Sequence, residues 1–271
     1  MAPTSSDLST SSPPPAGLAT ERRSAAATAG GGTLVLVHGF TQTARCWGPI
    51  DDDLATDHDL VLVDAPGHGG SAAADLDLVD GGRALADAGG TATYLGYSMG
   101  ARLCLHTALA HPERVTRLVL VSGTGGLDGA DEREERRRSD EALADHLVAI
   151  GVPAFVDEWL ALPLFAGLPP ERAHRDERLA NTPAGLASSL RRAGTGTQEP
   201  LWDRLGHLTV PVLVVAGADD PKFIGLAERL AAAIGSSAEL AVVPGAGHTV
   251  HLEQPERFLA RLRDWLTRTT P

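Results

Sequence analysis

The chain of 271 residues holds one lysine, two cysteines and no apolar stretch near the length of a membrane span. Each scarcity removes a class of function. A helix crossing a bilayer needs ~20 apolar residues, and the first residues lack the apolar centre of a secretory signal. Cys46 and Cys104 form neither a C-x-x-C pair nor a disulfide framework, which fits two packing residues in a reducing cytoplasm. No H-E-x-x-H occurs and the ten histidines are dispersed, so no metal is expected. Neither G-x-x-x-x-G-K-[ST] nor a G-x-G-x-x-G after a strand is present, so no cofactor is implied. A net charge of -12 repels phosphate, which argues against nucleic acid and membrane partners. An anionic substrate then requires a local basic pocket. Lys222 is the one lysine among 23 basic residues. With abundant Ala and Gly, the arginine excess reads as coding bias and carries no functional weight by itself.

What is present suffices for one large α/β domain with a substantial insertion, since 43% of residues are hydrophobic. Residues 1–32 are Ala, Ser, Thr, Pro and Gly in the main and are expected to form a disordered tail. Continuous apolar runs at Thr33–His38 and Leu60–Val63 suit parallel strands covered on both faces, and further strands are expected at Ala92–Gly96, Arg117–Ser122, Val212–Ala216 and Ala238–Val243. Helix-length segments lie between or after most of them: Val79–Ala88, Met99–Ala110, Phe223–Ile234 and Glu256–Arg268. This alternation predicts a mostly parallel, doubly wound sheet. Between Ser122 and Pro211 it breaks into helical stretches, Asp131–Ile150, Ala154–Leu162, Glu171–Ala180 and Gly185–Ala193. The expected organisation is a core of residues 33–122 and 211–271 with a helical lid at 123–210. The chain has no internal repeats.

Gly96-Tyr97-Ser98-Met99-Gly100 sits where a strand turns sharply into a helix. Small residues flanking the serine let the chain turn tightly enough to expose the hydroxyl. An activated Ser98 needs a histidine, and the histidine needs an acid to orient it. After the insertion, the strand at Val212–Ala216 leads into Gly217-Ala218-Asp219-Asp220. After the last strand comes Pro244-Gly245-Ala246-Gly247-His248. Asp219 and Asp220 compete for the acid role. Asp220, in the fourth place of G-x-x-D, is favoured, while Asp219 caps the next helix or faces solvent. His251 lies outside the glycine-rich turn and reads as structural. The oxyanion hole is expected from the backbone N–H groups of Met99 and of Phe40, which follows His38-Gly39 at the end of the first strand. Gly67-His68-Gly69-Gly70-Ser71 reads as a structural turn.

HGF, DAPGHGGS, GYSMG, GADD and GAGH, in this order over residues 33–268, resemble the alpha/beta-hydrolase superfamily. That resemblance implies the alpha/beta-hydrolase fold, a mostly parallel doubly wound sheet with a helical lid insertion. The insertion and two core motifs are more selective. Residues 132–140, 159–166, 178–181 with 185–187, and 194–198, with Asp220-Pro221-Lys222-Phe223 and Gly96–Arg102, are similar to the menaquinone-pathway subfamily of 2-succinyl-6-hydroxy-2,4-cyclohexadiene-1-carboxylate synthases. Ala101 stands where that subfamily has a second glycine. Membership implies a lyase that eliminates pyruvate from 2-succinyl-5-enolpyruvyl-6-hydroxy-3-cyclohexene-1-carboxylate, with the triad acting as a base and no acyl-enzyme. It also implies Arg102, Arg136 and Arg178 as carboxylate-binding arginines, and Tyr97 and Trp159 as pocket aromatics. By pattern alone Arg136 equally fits a solvated helix face paired with Glu132 or Asp140. The alternatives are a serine hydrolase using the same triad on an ester, thioester or C–C bond, and a non-catalytic ligand receptor. Two departures bear on stability: no early strand is evident before Thr33, and the helix near residues 79–90 contains Gly81-Gly82 and Gly89-Gly90.

Overall fold

A computed structural model describes residues 17–26 and 31–269. The strands are β1 (Thr20–Arg23), β2 (Thr33–Val37), β3 (Asp59–Val63), β4 (Ala92–Tyr97), β5 (Val115–Val121), β6 (Val212–Gly217) and β7 (Ala238–Val243). The helices are α1 (Pro49–Leu54), α2 (Leu78–Gly89), α3 (Met99–Ala110), α4 (Ala130–Leu160), α5 (Arg175–Arg178), α6 (Pro183–Ala193), α7 (Pro221–Ile234), α8 (Val250–Glu253) and α9 (Pro255–Arg268). They form one seven-stranded sheet in the order β1-β3-β2-β4-β5-β6-β7, parallel except for β1 against β3.

β1 corrects the expectation of a disordered segment through residue 32 and supplies the early strand missing from the sequence reading. Thr20–Arg23 pairs with Leu60–Val63 in the sheet. The apolar criterion fails there because an edge strand is held by ladder hydrogen bonds and ion pairs, including Arg23 with Asp51 and Asp52. The rest of the expected tail, residues 1–16 and 27–30, lies outside the described residues.

Why the strands read as unbroken apolar runs is visible in the layers. Val35 and Val37 pack into one core with α2, α3 and α7, while Leu34 and Leu36 pack into the opposite core with α1 and α9. The paired glycines of α2 have a packing reason: a Cβ on Gly82 would approach both Cβ of His106 and N of Thr107 at 3.2 Å. The missing side chains let α2 and α3 lie close.

Between β5 and β6 the chain contains only helices and turns, with a small core of its own around Leu147, Phe155, Val156 and Leu186. The two helical stretches expected at 131–150 and 154–162 merge into α4, which bends at Gly151 (φ 78°) and Pro153. Of the stretch expected at Glu171–Ala180 only one 3-10 turn and the short α5 are helical. Among the described residues no helix is long and apolar enough to cross a membrane.

Candidate active site

The site lies where the sheet order reverses, since β2 connects to β3 on one side and abuts β4 on the other. Crevices outside the carboxyl ends of strands at such a switch point are where open α/β sheets bind ligands. Val37 and Gly96 are register partners, so β2 and β4 end level and their following turns meet.

Ser98 occupies the second of those turns with φ 52° and ψ −107°, a conformation costly for a side chain bearing a Cβ. The flanking glycines make it accessible. A Cβ on Gly96 would stand 2.4 Å from the Gly100 carbonyl oxygen, and one on Gly100 would stand 2.0 Å from that of Val37. Ala101 is tolerated beside them because Gly123 faces it, where a Cβ would lie 2.9 Å from the Ala101 methyl.

Three loops bring the residues of the expected triad together. His248 Nε2 lies 3.1 Å from Ser98 Oγ, and His248 Nδ1 lies 3.2 Å from Asp220 Oδ2. A carboxylate only accepts, so the proton resides on Nδ1 and Nε2 is left to accept the serine hydroxyl. Asp220 also accepts the Phe223 N–H with its other oxygen, capping α7. Of the two roles expected for Asp219, the helix cap belongs to Asp220 and Asp219 faces solvent. Burial raises the Asp220 pKa, but hydrogen bonds from His248 and Phe223 outweigh it, and the carboxyl ends below its ordinary value.

The loop carrying His248 is held on both sides by a residue the sequence reading missed. Glu253, buried at the end of α8, accepts Gly247 N–H at 2.6 Å and Thr249 N–H at 2.8 Å. Ser122 Oγ donates to the His248 carbonyl at 2.7 Å. His251 is buried in α8 against Trp47 and Tyr97, in a structural setting.

Phe40, Met99, Arg102, Arg136 and Trp159 line one cavity of about 180 Å³ with Ser98 and His248. Met99 opens α3, and its N-cap Ser98 makes no side-chain cap bond, so the first-turn N–H groups of α3 face the serine end without an intrahelical acceptor. Tyr97 and Arg178 lie instead on a recess of about 30 Å³ that shares Phe40, Ser98, Trp159 and His248 with the larger cavity. Lys222, not among the expected site residues, also lines the larger cavity.

The three arginines are held differently. Arg102 is buried and donates to the Ala193 carbonyl at 2.8 Å; burial and the neighbouring Arg136 charge bring its pKa down to about 10. Arg136 donates from Nε to Asp140, realising the helix-face pair while still facing the cavity. Arg178 is 1% exposed, donates to the Ala173 carbonyl and to Thr41 Oγ1, and has no carboxylate partner among the described residues. Burial lowers its pKa. A buried guanidinium without an anion is costly unless something with negative charge comes to it.

Tyr97 is buried, its hydroxyl 3.2 Å from Thr249 Oγ1, and burial raises its pKa. Trp159 packs against Phe40 at 5.2 Å between ring centroids. Among the described residues no group of three His, Cys, Asp or Glu side chains could hold a metal ion.

Residues 34–261 match the model of the alpha/beta hydrolase family. A Bacillus subtilis (strain 168) protein, provisionally named as a 2-succinyl-6-hydroxy-2,4-cyclohexadiene-1-carboxylate synthase, is 38% identical over 86% of this chain and 90% of its own. The synthase of that name from Serratia proteamaculans (strain 568) is 32% identical over 86% of this chain and 92% of its own. The solved structure of MenH from S. aureus superposes with a TM-score of 0.85 at 29% identity, covering 93% of this chain and 99% of that one.

Proposed function

Because the chain belongs to the alpha/beta hydrolase family, and within it to the 2-succinyl-6-hydroxy-2,4-cyclohexadiene-1-carboxylate synthases, we propose that its site eliminates pyruvate from 2-succinyl-5-enolpyruvyl-6-hydroxy-3-cyclohexene-1-carboxylate. One observation within the site carries this reading. The protein has a net charge of -12, yet the cavity at Ser98 is lined by Arg102, Arg136 and Lys222 and, among the described residues, by no Asp or Glu. Such a pocket selects a small substrate with several carboxylates and suits no neutral ester.

In this proposal the triad is a base. His248 Nε2 takes the Ser98 hydroxyl proton as Ser98 Oγ takes the ring proton. The freed electron pair forms a C=C bond between C2 and C3, the ring double bond shifts from C3–C4 to C4–C5, and the C–O bond from C5 to the enolpyruvyl group breaks. That group leaves as enolpyruvate and is protonated to pyruvate. Asp220 holds the imidazole in the tautomer this requires and stabilises the imidazolium. The N–H groups of Phe40 and Met99 stabilise the charge that develops on the substrate. Arg102, Arg136 and Arg178 hold carboxylates, and Tyr97 and Trp159 shape the walls. Residues 123–210 act as the lid that carries Arg136, Trp159 and Arg178. The same proposal places the enzyme in the cytoplasm, with Cys46 and Cys104 as free, buried thiols.

The test is a direct comparison of activities. Purified protein should release pyruvate from the enolpyruvyl substrate far faster than it cleaves p-nitrophenyl acetate, and Ser98→Ala should abolish the release by lowering kcat. A reversed preference would replace the lyase reading with that of a serine hydrolase.

A further inference from the structure

Gln42 presents a buried amide donor with nothing to receive it. The residue is 1% exposed, and its Nε2 has no hydrogen-bond partner among the described residues. Its orientation is not ambiguous. Oε1 accepts the Gly39 N–H at 2.9 Å, and the reverse amide orientation would set an NH2 group against that N–H. Gln42 lines the recess of about 30 Å³ beside Ser98. Burying two N–H donors unpaired costs about 1–3 kcal/mol, a cost a chain tolerates where a ligand supplies the acceptor.

The neighbours share that deficit. Arg178 lines the same recess with no carboxylate partner, and the buried Nε1 of Trp159 likewise has no acceptor among the described residues. The Tyr97 hydroxyl is already engaged with Thr249. Among the described residues no Asp or Glu lines the recess. A water-sized group needs ~10–15 Å³ of such space, so the recess admits about two oxygen-sized groups and no ring.

We propose that Gln42 Nε2 and the Arg178 guanidinium together bind one carboxylate of the substrate, making Gln42 a specificity-determining residue set at the inner end of the cavity. This rests on the reading of the site as a polycarboxylate pocket. Gln42 adds to it a neutral donor that is anchored, through Gly39, to the turn preceding Phe40. The carboxylate in the recess is thereby positioned against the oxyanion donors as well as against Ser98.

Gln42→Glu separates this role from simple support of the turn. It keeps an oxygen for the Gly39 N–H but turns the donor into an anion beside Arg178, where it would repel a substrate carboxylate and occupy the guanidinium. The expected result is a retained thermal midpoint, a KM for pyruvate release raised about tenfold or more, and loss of the midpoint shift that succinate gives the wild type. Gln42→Met, lacking both functions, should raise KM and lower the midpoint together. An unchanged KM and succinate shift in Gln42→Glu, or no succinate shift in the wild type, would overturn the proposal. A wild type that binds succinate through Gln42 but releases no pyruvate would uphold it while overturning the lyase reading.

Discussion

Arg136 donates to Asp140 Oδ1 at 2.8 Å one turn further along α4, with the arginine side chain 43% exposed at the cavity and the aspartate side chain 4% exposed beneath it. The pair thus serves two ends. The guanidinium is available to a ligand, and its removal would strand a buried carboxylate whose Oδ2 already lacks a partner among the described residues. Arg136→Ala should therefore raise the KM for pyruvate release and also cost about 1–2 kcal/mol of stability in urea denaturation. Adding Asp140→Asn should recover the stability and leave the KM high. A KM that stays at the wild-type value would reduce Arg136 to a partner of Asp140.

Glu253 predicts a catalytic defect. Its two oxygens hold the amides on either side of His248, so a glutamine at this position, with one acceptor, releases one of them. The imidazole then loses its fixed distance to Ser98, a misplacement to which general-base steps are sensitive. Glu253→Gln should lower kcat by roughly tenfold or more with KM unchanged. Steady-state kinetics beside a thermal melt would check this; a melt shift with normal kcat would leave Glu253 with a structural role alone.

What was legible in the sequence was whatever depends on local pattern. The buried inner strands, β2, β4 and β6 above all, show as apolar runs because both faces are covered, and Ser98, Asp220 and His248 show because each follows a strand in a glycine-rich turn. β1 was not legible, since an edge strand buries too little to leave an apolar signature. Gln42 and Glu253 were equally hidden. Their roles depend on contacts with Gly39, Gly247 and Thr249 that only the folded loops create, and neither residue type announces such a role. The two faces of Arg136 could not be separated, because a pairing with Asp140 and a view of the cavity are compatible on one helix.

The elbow gives a stability prediction. A methyl on Gly100 would stand 2.0 Å from the Val37 carbonyl oxygen and 2.6 Å from that of His38, both rigid backbone groups at the end of β2. No rotamer relieves that contact, so β2 and α3 must separate. Gly100→Ala should cost on the order of 3 kcal/mol in chemical denaturation, and because the displaced turn leads to Phe40, pyruvate release should fall as well. Normal stability in this variant would show that the two turns do not pack as described.

Four buried histidines set the response to acid. Burial is the leading cause in each, bringing His38 and His106 down to about 4 and His68 and His251 down to about 3, against 6.5 in an exposed chain. Between those values the unfolded chain takes up protons that the folded protein refuses. The stability they confer is therefore complete above pH 6.5 and is lost as pH falls toward 3. Each histidine contributes at most roughly 1.4 kcal/mol per pH unit within that window. Urea denaturation at pH 7, 6 and 5 should show progressive destabilisation with proton uptake on unfolding. The depressed Asp220 carboxyl acts only lower, since its contribution is present above the ordinary carboxyl value of 3.8 and is lost below it. A stability that is flat from pH 7 to 5 would mean that these imidazoles are hydrated or paired in the folded protein, contrary to their burial.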